Sequence, residues 1–322
     1  MRMEKELLCD PPSAVRPARV APPVSRPEAS QRRSVPRSAV GPPRSYFGNR
    51  FVYAVISQRA HGLSIGVNLN PDKFCNFDCA YCEVDRRSAS ADAQIDLDVL
   101  ALELEEMLGR AFYGRMRELP GYETVPEDLL GLKEVALSGD GEPTLCPMFA
   151  EVVETVLHVR AKCFFPFFKV VVITNSTGLH LPPVQQGLKL LTTKDEVWAK
   201  LDVGTQAWLE QINRPKSSPL NCPSVTLDHV IENILALAKQ RPVVIQSLFP
   251  LINGKGPAPA EITAYAERLN ALKEAGARIS LVQVYSAHRP PALPNCGHLP
   301  LRELSQIARR VREVSGLRTE VF

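Results

Sequence analysis

From Phe51 onward the chain alternates short apolar runs, rich in β-branched residues, with longer amphipathic stretches, and this alternation restricts the fold more than any other feature. A run such as "KVVVITNS" (169–176) is apolar at consecutive positions, so both of its faces must be covered. The runs expected as strands are 63–70, 133–139, 169–176, 196–203, 243–250 and 278–286. Helical stretches are expected near 97–113, 147–160, 183–191, 227–239, 260–275 and 301–315. About six β-α units in succession imply an α/β fold with a parallel sheet, either a partial barrel or an open doubly wound sheet. In either architecture the loops leaving the carboxyl ends of the strands build the functional site.

The first 48 residues do not follow this pattern. They contain the stretch "RPARVAPPVSRPEASQRRSVPRSAVGPPR", and nine of the chain's 28 prolines fall in residues 1–50. Too few apolar residues are present there to offset the entropy of ordering, so residues 1–48 are expected to form a disordered Pro/Arg-rich tail, with residues 49–322 as the folded domain. Residues 1–50 hold 10 Lys/Arg against 4 Asp/Glu, leaving 28 against 31 in the remainder. The body is therefore no basic nucleic-acid surface, and only the tail could contact an acidic partner. No run approaches the roughly 18 apolar residues of a membrane span, and the start lacks the apolar core of a secretory signal. A cytoplasmic protein without a membrane partner is expected.

Eight cysteines in such a chain do not read as a disulfide framework. Cys9, Cys146, Cys163, Cys222 and Cys296 are scattered and read as ordinary thiols. The other three share one loop after the first expected strand: "DKFCNFDCAYCEVDR" (72–86) places Cys75, Cys79 and Cys82 at C-x3-C-x2-C spacing. Structural zinc takes four protein ligands, and a non-catalytic zinc- or cluster-binding module would need a fourth, such as Cys146 or His61. A thiol oxidoreductase using Cys79 and Cys82 would have no need of a third cysteine. A [4Fe-4S] cubane takes one ligand per iron, so three cysteines leave one iron open.

The loop, with Tyr81 just before its last cysteine, resembles the cluster loop of the radical S-adenosylmethionine (radical SAM) superfamily. A second segment, "LSGDGEPTL" (137–145), resembles that family's Gly-Gly-Glu-Pro segment, here Gly139, Asp140, Gly141, Glu142 and Pro143, with Asp140 departing from the common form. Read on its own chemistry, Gly141 permits a close backbone approach, Pro143 fixes the exit direction, and Glu142 offers a carboxylate to a cationic ammonium. "ITNST" (173–177) adds Thr174, Asn175 and Ser176 at a strand end, and "KLDVGTQAWLEQINRP" (200–215) resembles a segment of the branch containing wyosine-type tRNA-modifying enzymes.

The resemblance covers about residues 60–290 and implies a partial (β/α)6 barrel of parallel strands. It implies a [4Fe-4S] cluster on Cys75, Cys79 and Cys82 with one open iron, and S-adenosylmethionine held by Tyr81, Gly139–Pro143, Asn175, Lys200 and Asp202. It further implies an external one-electron donor of flavodoxin or ferredoxin type. The activity implied is an oxidoreductase-type reductive cleavage of S-adenosylmethionine, followed by hydrogen abstraction from a substrate the residues do not name. A glycyl-radical enzyme backbone, a tRNA base and a small metabolite are the candidates. Phe74 and Phe77 are placed to shield the cluster or to pack in the core, while Asn213 and Arg214 read as loop stabilisers. Trp198, Lys200 and Asp202 share a strand face, and Gln246 and Gln283 interrupt apolar strands as if lining an interior cavity. Two departures from the wyosine-type and peptide-modifying branches stand out: Cys9 is alone near the start, and no cysteine-rich extension follows the sixth unit.

Overall fold

The structure, a computed structural model, describes residues 44–86, 94–162, 165–216, 225–287 and 293–322, which belong to one compact unit. The tail expected over residues 1–48 lies outside the described residues except for its last five. These five are held in place: Ser45 bridges Ala54, and Arg44 and Tyr46 both reach Asp140.

The chain runs through β1 (Val52–Ser57), β2 (Gly62–Val67), α1 (Leu97–Phe112), α2 (Glu127–Leu130), β3 (Leu132–Leu137), α3 (Phe149–Lys162), β4 (Lys169–Thr174) and α4 (Pro182–Leu190). It continues through β5 (Glu196–Lys200), α5 (Gln206–Trp208), α6 (Leu227–Gln240), β6 (Val243–Leu248), β7 (Pro250–Ile252) and α7 (Pro259–Glu274). It closes with β8 (Ile279–Tyr285), β9 (Cys296–His298), α8 (Leu301–Ser315) and β10 (Thr319–Val321). One sheet of eight strands has the order β1-β2-β3-β4-β5-β6-β8-β10. β1 is antiparallel at one edge, the other seven strands of this sheet run parallel to one another, and β7 and β9 form a separate antiparallel pair.

The six expected strands are β2, β3, β4, β5, β6 and β8, each ending short of the expected boundary because polar residues such as Asn68, Asn70 and Asp202 turn into loops. The sheet adds an antiparallel strand and a parallel one to these six. β1 follows Phe51, and its turn into β2, Gln58–His61, lacks the Asn-Gly type of hairpin signal. β10 spans only three residues.

The sheet is curled into a half-barrel. Its edge strands β1 and β10 are the two ends of the strand order, yet the turn after β1 meets the residue after β10, with the rings of His61 and Phe322 5.7 Å apart. Arg59 of the same turn lies 4.4 Å over the ring of Tyr285 at the end of β8. The short hairpin therefore spans the open side.

Two apolar assemblies follow from the alternation of side chains along each strand. On the outer face Val170 and Val172 of β4 and Val197 and Ala199 of β5 pack under the helices, in one core that includes Leu100 and Leu104 of α1 and Val152, Val153 and Val156 of α3. On the inner face Val171, Trp198 and Val244 form a separate cluster joined by Ile173 and Leu281. Burying each of these aliphatic side chains contributes about 1.5–3 kcal/mol. The helices begin at recognisable caps: the Asp96 carboxylate accepts from the amides of Asp98 and Val99 at α1, and the Thr226 hydroxyl accepts from His229 at α6.

Candidate functional site

The cysteine loop leaves the carboxyl end of β2, as expected from the order of β-α units. Gly141, in the loop after β3, docks against it. A Cβ at Gly141 would lie 1.9 Å from the Phe74 carbonyl, and the Glu142 amide donates to that same carbonyl at 3.0 Å. The close approach that this glycine permits is thus to the cysteine loop. Gly139 has φ +153, and a side chain there would collide with Asn68, whose amide Oδ1 accepts from the Asp140 amide.

The second clamp on the cysteine loop is the segment 212–216. The Ala80 amide donates to Ile212, Asp78 donates to Asn213 and Arg214, and the Lys216 amide donates to Asn76, while Phe77 bridges Pro215. Arg214 turns this segment with φ +52 and pairs with Asp78 at 3.3 Å. Asn213 and Arg214 are loop stabilisers as expected, and the loop they stabilise carries the cysteines.

Each thiol has its own polar neighbour. Asn175 Nδ2 lies 4.0 Å from Cys75 Sγ, Asn213 Nδ2 lies 3.7 Å from Cys79 Sγ, and the Arg86 guanidinium donates to Cys82 Sγ at 3.0 Å. Burial pushes the Cys75 thiol up to about 11 and the Cys79 thiol up to about 12. Among the described residues no group of three or more Cys, His, Asp or Glu is arranged to hold a metal ion. A cubane takes one thiolate per iron and does not require its ligands to meet at one point. Three thiols on one loop, one buried and two partly buried, with amide donors near two of them and a guanidinium at the third, form a donor set that fits such an anionic cluster.

Glu142 is almost completely buried, and the chain itself saturates its carboxylate. Oε1 accepts from the amide and hydroxyl of Thr144 at 3.0 and 2.6 Å and from the Thr174 hydroxyl at 2.5 Å, and Oε2 accepts from the Asn175 amide at 2.7 Å. Burial raises its pKa despite these bonds. The residue caps the short turn Pro143–Leu145, with Pro143 as its first residue, and joins the loops after β3 and β4. Asn175 extends the connection by donating to Asn76 of the cysteine loop at 2.8 Å. Asp140, the departure from the common motif, anchors Arg44, Tyr46 and Asn68.

Beyond the end of β5, Asp202 collects four donors. Tyr81 and Asn213 reach Oδ2 at 2.5 and 2.7 Å, and Lys200 and the Leu248 amide reach Oδ1 at 3.1 and 2.8 Å. Burial pulls the Lys200 ammonium down, but Asp202 and Tyr285 outweigh it and hold the pKa above the ordinary lysine value. Burial and Asp202 push the Tyr81 phenol well up.

Inside the half-barrel a cavity of about 330 Å³ reaches from the cysteine loop into the sheet. Tyr81, Cys82, Gly139 and Lys200 line its loop end; Trp198, Gln246 and Tyr285 line the wall. Trp198 and Gln246 face the interior as the strand pattern implies, and Gln283 is buried beside them, accepting from Gln246 at 3.2 Å. Phe77 is core, whereas Phe74 is about half exposed. Arg86, Asn68, Asn76 and Glu134 join the site without having been singled out for it, although Asn76 and Arg86 lie within the quoted cysteine-loop segment; Asn213 reads in the sequence as a loop stabiliser.

No family model matches the chain. Among curated proteins, a UPF0026 protein of Helicobacter pylori (strain J99) is 25% identical over 278 residues, covering 81% of this chain and 79% of the relative. A UPF0026 protein of Synechocystis is 28% identical over about half of each chain. Among solved structures, TYW1 with a lysine-pyruvate adduct bound is 15% identical with a TM-score of 0.51, covering 82% of this chain and 84% of that one, which shows a shared fold. A spore photoproduct lyase structure matches at 10% identity and a TM-score of 0.49. The likeness to TYW1 is one of fold. No described helix is long and apolar enough to cross a membrane.

Proposed function

We propose that this chain is a radical SAM enzyme acting on a substrate held inside the half-barrel. The observation that carries the reading is the cysteine loop itself: three thiols at C-x3-C-x2-C, clamped by Gly141 on one side and residues 212–216 on the other, at the mouth of an interior cavity. Cys75, Cys79 and Cys82 would hold the cluster. Bound there, a [4Fe-4S] cluster would supply the electron that breaks a carbon–sulfur bond of S-adenosylmethionine, leaving methionine and a 5′-deoxyadenosyl radical that takes a hydrogen atom from the substrate.

The protein's own residues hold and shield this chemistry. We assign the backbone of Gly139–Pro143 to the methionine end of S-adenosylmethionine, with Glu142 as the brace that sets its position relative to Asn175. Tyr81, Lys200 and Asp202 form the facing wall, and their mutual hydrogen bonds keep it rigid without cofactor. The half-barrel walls exclude water from the radical. An external one-electron donor is required, and oxidoreductase-type turnover follows from it.

The test is anaerobic. Reconstitution with iron and sulfide, reduction with dithionite and addition of S-adenosylmethionine is expected to yield 5′-deoxyadenosine, with a shift of the cluster's paramagnetic signal. Zinc binding without iron incorporation overturns the reading.

A further inference from the structure

The deep part of the cavity holds two charged side chains that the cluster chemistry does not use. Glu134 of β3 lines the cavity while only 1% exposed. Its Oε1 accepts from the Ser64 hydroxyl at 3.1 Å, but its Oε2 is buried with no hydrogen-bond partner. The nearest cation, Lys169, stands 3.9 Å from Oε2 and is committed at 3.0 Å to Glu196. A buried carboxylate oxygen without a donor is costly, by about 1–3 kcal/mol, and a ligand that donates to it recovers that cost.

Arg59 also lines the cavity, from the turn that spans the open side. Its guanidinium lies over Tyr285, and its buried Nε has no partner. The other cations in the wall are already spent, Arg44 on Asp140 and Lys200 on Asp202. Glu134 and Arg59 line the same cavity; burial raises the Glu134 pKa, and Lys169, Ser64 and Arg59 draw it down against that effect.

We propose that this chamber binds the substrate as a small zwitterionic metabolite, with its cationic nitrogen on Glu134 and its anionic group on Arg59. The assignment rests on the radical SAM reading for the word substrate, and on the side chains alone for the ligand class. Glu134 lies four residues before Ser138, the residue after β3, about 13 Å along the strand from the loop end, so the Glu134 end is apart from the place assigned to S-adenosylmethionine, while Arg59 stacks on Tyr285 nearer to Lys200. Trp198, Ile173 and Tyr285 supply the apolar and aromatic wall between the ends.

The probe is 5-aminopentanoate, with pentanoate and pentylamine as its single-charge halves, titrated into the reconstituted full-length protein by ligand-observed NMR. Wild-type protein is expected to bind 5-aminopentanoate at millimolar concentration more tightly than either half. Glu134→Gln keeps the shape and the acceptor for Ser64; it is expected to weaken 5-aminopentanoate and pentylamine by about tenfold, the equivalent of one charge-assisted hydrogen bond, and to leave pentanoate unchanged. Arg59→Gln, on a turn, is expected to weaken 5-aminopentanoate and pentanoate and to leave pentylamine unchanged. Equal binding by Glu134→Gln and wild type, or no binding of 5-aminopentanoate to wild type, overturns the proposal. The same samples separate it from the reading it rests on: iron content and 5′-deoxyadenosine report on the radical SAM assignment, whereas the contrast between variants is read without turnover.

Discussion

Two buried carboxylates sit at opposite ends of the same parallel sheet, and the protein compensates them in opposite ways. Asp195, at the amino end beside β5, accepts from Arg160 at 2.7 and 3.3 Å, from the amides of Val170 and Thr192, and from the Thr192 hydroxyl. Burial would raise its pKa, but Arg160 and these donors overcome it and hold the carboxyl below the usual range. Glu142, at the carboxyl end, accepts four hydrogen bonds against five, none from a cationic group, and burial raises its pKa. The Asp195 corner is built for stability. The carboxyl end accepts an electrostatic cost to place three thiols beside a cavity, which is the pattern expected of a functional face.

The sharpest break in this comparison is Cys79→Ala. Because the loop is held by backbone bonds from Ala80 and Asp78, the variant is expected to lose its iron entirely while keeping a cooperative thermal transition and native far-UV circular dichroism. Retained iron after anaerobic reconstitution would falsify the ligand assignment.

Asp195→Ala is the reciprocal change, expected to damage stability and spare the site. It strands the largely buried Arg160 without its partner, a loss of about 3–5 kcal/mol by urea denaturation. Iron bound per folded molecule should be unaltered. The pH dependence follows from the sign of the shift. A carboxyl depressed in the folded state contributes stability above its unfolded pKa of about 3.9, and this is lost as pH falls through the lower folded value. The stability gap between wild type and Asp195→Asn should therefore be constant near neutrality and close in acid.

Glu142→Gln probes the uncompensated end and should cost less, about 1–3 kcal/mol, because one amide hydrogen must now oppose a donor from Thr144, Thr174 or Asn175. Iron content is expected to hold while 5′-deoxyadenosine formation falls. Unchanged cleavage would show that the bracing of Gly139–Pro143 does not matter to S-adenosylmethionine.

How much of these two ends can be read in the sequence differs for a physical reason. Strands such as β4 are legible because buried parallel strands need β-branched residues on both faces, and the cysteines because their spacing is local. Asp195 is invisible in the linear pattern, since Arg160 lies 35 residues away and only the packing of α3 against the sheet brings it near. Glu134 is misleading: next to exposed Lys133 at the start of "LKEVAL" it reads as a solvated strand end. Only the curl of the sheet encloses it. β1, VYAVIS, carries the apolar β-branched pattern of a strand but is not among the six expected; what the linear pattern lacks is its antiparallel pairing at the sheet edge.

Asn213 tests the smallest part of the contrast, the side-chain tie from the 212–216 clamp to Asp202. Its Nδ2 reaches Asp202 at 2.7 Å and approaches Cys79 and Tyr81, whereas its buried Oδ1 has no hydrogen-bond partner. Asn213→Ala removes the donor but also the unsatisfied acceptor, and Asp202 keeps Tyr81, Lys200 and the Leu248 amide. The backbone bond from Asp78 to residue 213 is untouched. The net loss is thus expected near 1 kcal/mol. Faster proteolysis within the cysteine loop, with the Arg160–Asp195 end unaffected, is the outcome that would assign this side chain to the functional face; a uniform loss of protection would place it in the general scaffold.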